Sequence, residues 1–483
     1  MAYRYGNRHQ MEFLPQSIEE YVANDDPVRA YDAFIDALDF DAMGIKVNPH
    51  KVGNAEYNPR AMLKLLIYGY SYGVRSSRKL ERATYHNISF IWLVGGLKPD
   101  HKTIAEFRRK NRGVLKRVLR ECARMCIKLD LIAGNVLFVD GTKIRANAAW
   151  KKSYRKEWYE QQLSKVEQRV EELLGECEAI DREEEGHDSC VRMREELVEK
   201  ERLRGEIEEI VKEFEVSGRK RINQTDPDCA VMKGSQGSQA SYNVQSVVDD
   251  GHGLIVHADA VKEVTDYHQF AHQIDQANEV LDERCRIACG DAGYTDIEEL
   301  EKIDAQGIKV VVPSRRQASH KPQKPLDKRA FRYDEERDCY YCPQGHRLEY
   351  VATEKSKKRK RYRVIESSLC VTCGHFGQCT TDVRGRRMTR LFREELREKF
   401  EAQYEETTSQ MIYKRRKTRA EHPFGHIKRN LKADAFMVRG REGVQAETSL
   451  LATCYNIVRM ITLCGGVPGL IQRLMIKTAI VTG

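Results

Sequence analysis

The stretch NVLFVDGTKIRANA, Asn135 to Ala148, decides how the chain is read. Val136, Leu137, Phe138 and Val139 form an apolar run of the kind that fills the centre of a sheet, and a lone carboxylate, Asp140, follows it directly. Ionising a carboxylate in such surroundings is strongly unfavourable unless a partner or a metal compensates it. Gly141 and Thr142 come next, and Lys143, Ile144 and Arg145 resume a polar and apolar alternation, which predicts a strand that runs on past the acid. The plainer alternative is a turn aspartate bonding nearby backbone amides. The rest of the chain has to discriminate between them.

With 483 residues the chain can hold several domains and bury a substantial core. Its 82 Lys and Arg against 73 Asp and Glu give a net charge of +9, a modest excess that is steep locally. Lys102 to Arg120 holds eight Lys or Arg against one acid, Glu106, and Tyr413 to Lys432 holds eight against one, Glu421. Such faces predict a polyanionic partner, most simply nucleic acid, where solvated helix faces are the alternative. The opening MAYRYGNRHQMEF lacks the apolar core of a secretory signal, and no run of 18 apolar residues follows anywhere. The expectation is a cytoplasmic, nucleoid-associated protein with no membrane partner. In that compartment 14 cysteines are read for metal before disulfides.

Taken in order, residues 1–130 predict a helical DNA-binding domain of the helix-turn-helix sort, with segments such as SIEEYV, DPVRAYDAFIDALDF and PRAMLKLLIYGYSYG. Pro59 suits a first helical turn. Arg75, Ser76, Ser77, Arg78 and Lys79 make a phosphate-friendly patch, though helix caps account equally well for the serines, and a basic helix carrying Arg108 and Arg109 follows Pro99. Beyond the Asp140 strand, Leu163, Val166, Val170, Leu173, Cys177 and Ile180 recur at spacings of 3, 4, 3, 4 and 3, and Leu203, Ile207, Ile210 and Phe214 give a shorter seam. With EEEGHDS breaking the pattern between them, residues 151–222 read as an antiparallel helical hairpin insertion. Strands are expected at Ser241 to Val248 and Leu254 to Ala260, joined by DDGHG. Thr265 and Asp266 read as caps for a helix through YHQFAHQIDQANEVL. Short strands at Arg286 to Cys289 and Ile308 to Val312 complete the series, with Asp291 in GDAGYTD just after the first of these. Strand, strand, strand, helix, strand, helix, strand is the ribonuclease H-like order. The fold class is therefore α/β, a ribonuclease H-like mixed sheet flanked by helices. Its core is expected over 131–313 and 386–465, and residues 466–483 form a C-terminal tail.

Residues 314–385 turn polar and irregular and hold five thiols. Cys339 and Cys342 lie in DCYYCPQGH, and Cys370, Cys373 and Cys379 in SLCVTCGHFGQC, the two groups separated by 27 residues. A CxxC facing another CxxC predicts a tetrahedral structural Zn²⁺, with Cys342, Cys370, Cys373 and Cys379 as ligands and Cys339 as the alternate. Between the halves, KSKKRKRYR, Lys355 to Arg363, reads as a hairpin exposed at the tip of this zinc-binding lobe, with Lys358 and Arg359 either meeting phosphates or forming a solvated tip.

In YKRRKTRAEHPFGHIKRNLK a single acid, Glu421, stands among eight cations. Here the chain resembles the DDE transposases of bacterial insertion sequences, whose third acid lies on a helix in a Tyr-x2-Arg-xn-Glu-x6-Lys pattern matched by Tyr413, Arg416, Glu421 and Lys428. Four residues separate Arg416 from Glu421 rather than the three of the commonest form, and Pro423 places Glu421 near a helix start or kink. FVDGTKIRANA, YNVQ, GDAGY and EHPFGHIK resemble the family's core motifs, and the N-terminal helices resemble the domain that precedes the core in one group.

The resemblance implies a catalytic triad of Asp140, Asp291 and Glu421 holding Mg²⁺ or Mn²⁺, with Asp140 shared between two ions. It also implies phosphate or base contacts from Tyr413, Arg416 and Lys428, with double-stranded DNA, both transposon ends and target, as partner. The reaction would be water attack that exposes a 3′-hydroxyl, then joining of that hydroxyl to target DNA, and bringing two ends together implies a homodimer. A nuclease that cuts without joining, and a DNA-binding protein that has lost its chemistry, are the rival readings.

Overall fold

The structure, a computed structural model, describes residues 17–45, 56–183, 188–234, 237–319 and 326–482, with side chains 178–194 and 477–482 left aside. The opening segment read for a secretory signal lies outside these residues, as do much of EEEGHDS and the Ile180 side chain. Two compact units divide the chain: Met1–Ala288 with Arg415–Gly483, and Cys289–Lys414.

The first unit opens with helices α1 (Pro27–Asp36), α2 (Pro59–Ser71), α3 (Ser77–His86), α4 (Ile88–Leu93), α5 (His101–Lys110) and α6 (Arg112–Lys128). Their starts follow local chemistry. The Asp26, Asn58 and Asp100 side chains accept the amides of Val28, Arg60 and Thr103, and Pro27 and Pro59 occupy first-turn positions where no donor is needed. Strand β1 (Val136–Arg145) follows, with Leu137, Phe138 and Val139 fully buried.

A short pair, β2 (Ser153–Tyr154) and β3 (Ile222–Asn223), closes the root of the hairpin formed by α7 (Lys156–Glu183) and α8 (Asp188–Ser217). The hairpin is antiparallel, since Lys156 pairs with Glu215 and Arg169 with Glu196. It holds its own core, in which Tyr159, Val166 and Val170 pack with Ile207 and Phe214. Both heptad seams therefore face each other, as an apolar stripe on two adjacent helices must.

Strands β4 (Ala230–Gly234), β5 (Gly237–Asp249) and β6 (Ile255–Val261), helix α9 (Phe270–Leu281) and strand β7 (Ile287–Cys289) come next. In this unit the order is β4-β5-β1-β7, with β6 also on β5. The β5 strand runs antiparallel to β1, β4 and β6, and sets Ser246 opposite Asp140. The amides of Arg286 and Ile287 donate to the Asn135 carbonyl at 2.9 and 3.1 Å, which brings β7 beside β1. The β4 strand was not legible in sequence. The helix expected from Tyr267 begins at Phe270, because Asp266 is engaged elsewhere.

In the second unit, α10 (Ile297–Asp304) and β8 (Lys309–Val311) are followed by a sheet of order β13-β12-β11-β10-β9. Its strands are β9 (Arg332–Asp334), β10 (Cys339–Tyr341), β11 (Arg347–Glu354), β12 (Arg359–Val364) and β13 (Arg387–Leu391), with α11 (Ser367–Val371) before the last. Only Lys355 to Lys358 of the basic hairpin form a tip. From Arg359 onward the segment is an inner strand with Tyr362 fully buried. Asp338 accepts from the hydroxyls of Tyr333 (2.7 Å) and Tyr362 (2.6 Å) and from Lys360 (2.8 Å). Burial pushes this carboxyl up, but those three donors outweigh it and hold it at about 2.

After α12 (Glu394–Glu405), helix α13 (Thr407–Arg429) returns the chain to the first unit, where α14 (Arg441–Leu463) and α15 (Val467–Thr482) complete it. The segment read as a tail is this last helix, packed on α1, with Val467, Leu470 and Leu474 buried at helical spacing. The α14 helix is buried along most of its length and covers the open edge of β6. Asn456 accepts from the Ile255 amide and donates to its carbonyl, both at 2.8 Å, and Gln445 bonds the Ala260 amide and Ala258 carbonyl at 2.7 and 2.8 Å. Two side-chain amides thus satisfy backbone groups that another strand would otherwise pair. Replacing Asn456 with Ala strands the Ile255 donor and acceptor in the core, and should lower stability by about 2–4 kcal/mol in denaturant unfolding. A change within about 0.5 kcal/mol would show that water replaces the amide.

Candidate active site

Alternation along β1 puts Asp140, Thr142 and Ile144 on one face of the sheet, opposite Ser246, Val244 and Tyr242 of β5. The α13 helix lies on that face. Its inward stripe is Arg416, Ala420, Phe424 and Ile427, all buried, and Phe424 packs into the cluster of Ile144, Tyr242 and Val244. That stripe aims the Arg416 guanidinium at the β1 carboxylate. Arg416 Nη1 donates to Asp140 Oδ1 at 3.3 Å and Nη2 to Glu421 Oε1 at 3.4 Å. One guanidinium therefore joins the two acids, the first nearly buried and the second about half exposed.

Two turns beyond Glu421, Lys428 Nζ donates to Thr142 Oγ1 at 2.6 Å. Burial pushes the Lys428 ammonium down, while Asp140 and Asp434 push it up. The helix runs through Pro423, so Glu421 stands in its interior and not at a start. Pro423 has no amide to offer the Arg419 carbonyl, and packing of the Phe424 stripe holds the helix in place.

The back of β1 carries a polar cluster that the sequence reading missed. Asn243 and Gln245, of the YNVQ segment, both donate to Asp266 Oδ1 at 2.8 and 2.6 Å. A Cβ on Gly141 would lie 2.5 Å from Gln245 Nε2 and 2.6 Å from Asp266 Oδ1, so only glycine lets this cluster close behind Asp140. Asp266 is therefore no helix cap but the acceptor of this cluster. Its one sequence signal is the pair of amides at alternate strand positions that need an acceptor.

Asp291 belongs to the second unit, immediately after β7 and Gly290, where its carboxylate caps a short turn by accepting the Gly293 amide at 2.7 Å. Tyr413 also belongs there, its ring against Tyr404. Of the basic residues singled out, Arg108 turns inward to the Tyr70 hydroxyl and the Arg75 carbonyl at 3.1 and 3.2 Å, while exposed Arg109 pairs with Glu106. Lys358 pairs with Glu298 and Arg359 with Glu354. Arg75 is no phosphate contact either: it is buried against Glu447 at 2.9 Å.

Cys342, Cys370, Cys373 and Cys379 line one cavity of about 30 Å³ in the second unit, with His346 and His375 beside them. Cys339 is buried in β10 and does not line it. Burial pushes the Cys379 thiol up, Arg386 opposes it, and the thiols of Cys370, Cys342 and Cys373 add to the rise. Among the described residues, no group of three or more His, Cys, Asp or Glu is drawn together closely enough to hold a metal ion.

Two family models match the chain. The one described as "Transposase domain (DUF772)" covers residues 16–110 and the one described as "Transposase DDE domain" covers residues 341–461. No curated protein matches. A cryo-EM structure of the piggyBac transposase synaptic complex with hairpin DNA aligns over 94% of this chain and 80% of that one, at 8% identity and a TM-score of 0.34. A likeness that faint bears on neither fold nor chemistry.

The Arg416 bridge makes a direct prediction. Arg416→Ala removes the guanidinium that the nearly buried Asp140 shares with Glu421 and should destabilise the protein by about 1–3 kcal/mol. The exposed neighbour variant Lys417→Ala should stay within about 0.5 kcal/mol. Equal melting temperatures for the two would mean that the bridge contributes nothing to folding.

Proposed function

This chain is a DDE-type transposase, and on that premise we propose that it cuts DNA at the ends of a mobile element and joins the freed 3′-hydroxyl to target DNA. The observation that carries the reading is the Arg416 guanidinium shared by Asp140, in the centre of the sheet, and Glu421 on α13. Two acids held at one face by a common cation are more than turn or cap residues need. The strand order β4-β5-β1-β7, with β5 antiparallel to β1 and α13 across the face that bears Asp140, supports a ribonuclease H-like core.

We assign Asp140, Asp291 and Glu421 as the residues that would hold Mg²⁺ or Mn²⁺. Oxygen donors from separate elements suit these hard ions, and Arg416 accounts for the positive charge that two nearby carboxylates require. When bound, the metals activate the attacking oxygen and stabilise the leaving one. The chain's own part is placement. The pleat of β1 orients Asp140, and the Phe424 stripe fixes α13 so that Glu421 projects from its exposed flank. Lys428, at Thr142, offers a cation toward a phosphate on the same face.

For the thiol cavity we assign a structural Zn²⁺ on Cys342, Cys370, Cys373 and Cys379. Four soft donors from two chain segments around one small cavity are the type of donor zinc takes, although they would have to draw closer than they stand to ligate it, and Cys339, buried in β10, is kept as the alternate. Purified protein should carry about one zinc per chain, and Cys373→Ser should lose it and melt earlier. Metal analysis finding no zinc in a folded wild type would overturn the assignment.

Asp140→Asn, Asp291→Asn and Glu421→Gln should each lower Mg²⁺-dependent nicking and joining of a labelled duplex bearing the element's ends by more than about 100-fold, beyond what an outer-shell partner contributes. DNA binding should persist in all three. Nicking without joined product would make the protein a nuclease, binding without any cut a DNA-binding protein, and cutting that survives Asp291→Asn would exclude that acid.

A further inference from the structure

A second basic site lies in the first unit, away from the acids. A cavity of about 340 Å³ opens where the end of α5, the start of α6, the segment after β1 and the segment before α14 meet. Arg108, Arg109, Arg112 and Arg439 line it together with Asn147, over Glu447. Four guanidiniums around one hollow repel each other unless acids answer them. The cavity's one acid is already spent: Glu447 is bound to Arg75 and accepts the Met437 and Val438 amides at 2.9 and 3.3 Å.

The donors are unevenly used. Arg108 is committed to Tyr70 and Arg75, and Arg109 to Glu106. Among the described residues Arg439 uses only Nε, on the Asn147 carbonyl at 2.9 Å, which leaves its two terminal nitrogens open. Among the described residues the Arg112 guanidinium makes no hydrogen bond or ion pair, although Arg112 is only partly exposed. A walled hollow with fork-shaped donors on two sides, whose one lining carboxylate is already engaged, is complementary to an oxyanion with several oxygens, which guanidinium groups bind in pairs.

Position selects the source of that oxyanion. The β1 strand leads from Asp140 to Arg145, and Asn147 lies two residues beyond. At roughly 3.3 Å per residue the part of the cavity wall at Asn147 is at most about 23 Å from Asp140, or roughly six to seven steps of a DNA strand at about 3.4 Å each. We propose that this cavity clamps one backbone phosphate of the same duplex whose cleaved bond lies at Asp140, with Arg112 and Arg439 as its two forks. The inference rests on the transposase reading for the identity of the duplex. It adds a second anchor that sets the angle and register of that duplex.

The test measures affinity of the full-length protein for a labelled end duplex at several salt concentrations. A scan of single neutral methylphosphonates along each strand follows. Arg112→Ala and Arg439→Ala should each weaken binding about 5- to 10-fold and lower the salt slope by about 1. In the wild type, one neutral linkage no more than about seven steps from the cleavage point should weaken binding alike, and in Arg112→Ala that linkage should have no further effect. Circular dichroism checks folding, and Arg112→Gln, which keeps the stem, serves if the alanine variant unfolds. Unchanged affinity and slope in folded variants would overturn the clamp, while cleavage by the wild type would leave the transposase reading standing. Weakened binding in the variants with no cleavage by any protein would uphold the clamp and sink that reading instead.

Discussion

Arg75 and Glu447 form an ion pair almost wholly removed from water, and the first unit is assembled around it. Such a pair is a weak source of net stability, because desolvating both charges offsets most of their attraction. Its force is conditional, since either partner alone would be an uncompensated buried charge. Both groups are therefore bonded further. Arg75 donates to the carbonyls of Ala435 and Lys432 at 2.9 and 2.6 Å, and the second oxygen of Glu447 takes the amides of Met437 and Val438. The segment after α13 is thereby tied to the N-terminal helices on one side and to α14 on the other.

That segment also extends β1. Phe436 donates to the Arg145 carbonyl at 2.8 Å and Arg145 to the Asp434 carbonyl at 3.2 Å, so the strand bearing Asp140 gains a neighbour along its last residues. With its C-terminal end anchored there and Phe424 seated in the core, α13 has no freedom to rotate about its axis. A helix fixed in rotation presents Arg416 inward and Glu421 on the flank, and this turns a basic run with one acid into a defined constellation. The same segment supplies Arg439 to the basic cavity, so one buried pair positions both the acids and the arginine forks.

Much of this was legible where local chemistry is unambiguous. An acid directly after four apolar residues marked Asp140, thiol spacing marked the residues that line the second unit's cavity, and heptad seams marked a hairpin whose helices do pack on each other. The failures share a cause. The sequence groups Arg75 with a phosphate patch, Arg108 with a basic DNA-binding helix and Asp266 with helix caps, yet all three turn inward to partners distant in the chain. Composition reports that a cation or acid is present but not which way its side chain points, because the partner that selects the direction is Glu447, Tyr70 or the Asn243 and Gln245 pair. Pro423 misled for a similar reason: its missing hydrogen bond weakens a helix, but tertiary packing on both sides of it outweighs that loss.

The resemblance to the DDE transposases singled out Asp140, Asp291 and Glu421 as candidate acids, and by itself the amino-acid sequence determined the strands and helices of strong period, the heptad seams and the thiol spacing. These depend on side-chain chemistry within a few residues, which periodicity and spacing record. Only the tertiary structure decided that Arg416 bridges two acids, that α14 closes the edge of β6 with Asn456 and Gln445, and that Arg112 and Arg439 share a hollow. Each of these is a pairing across tens to hundreds of residues. Such pairings follow from which faces must be buried together, and that is set by the whole core at once.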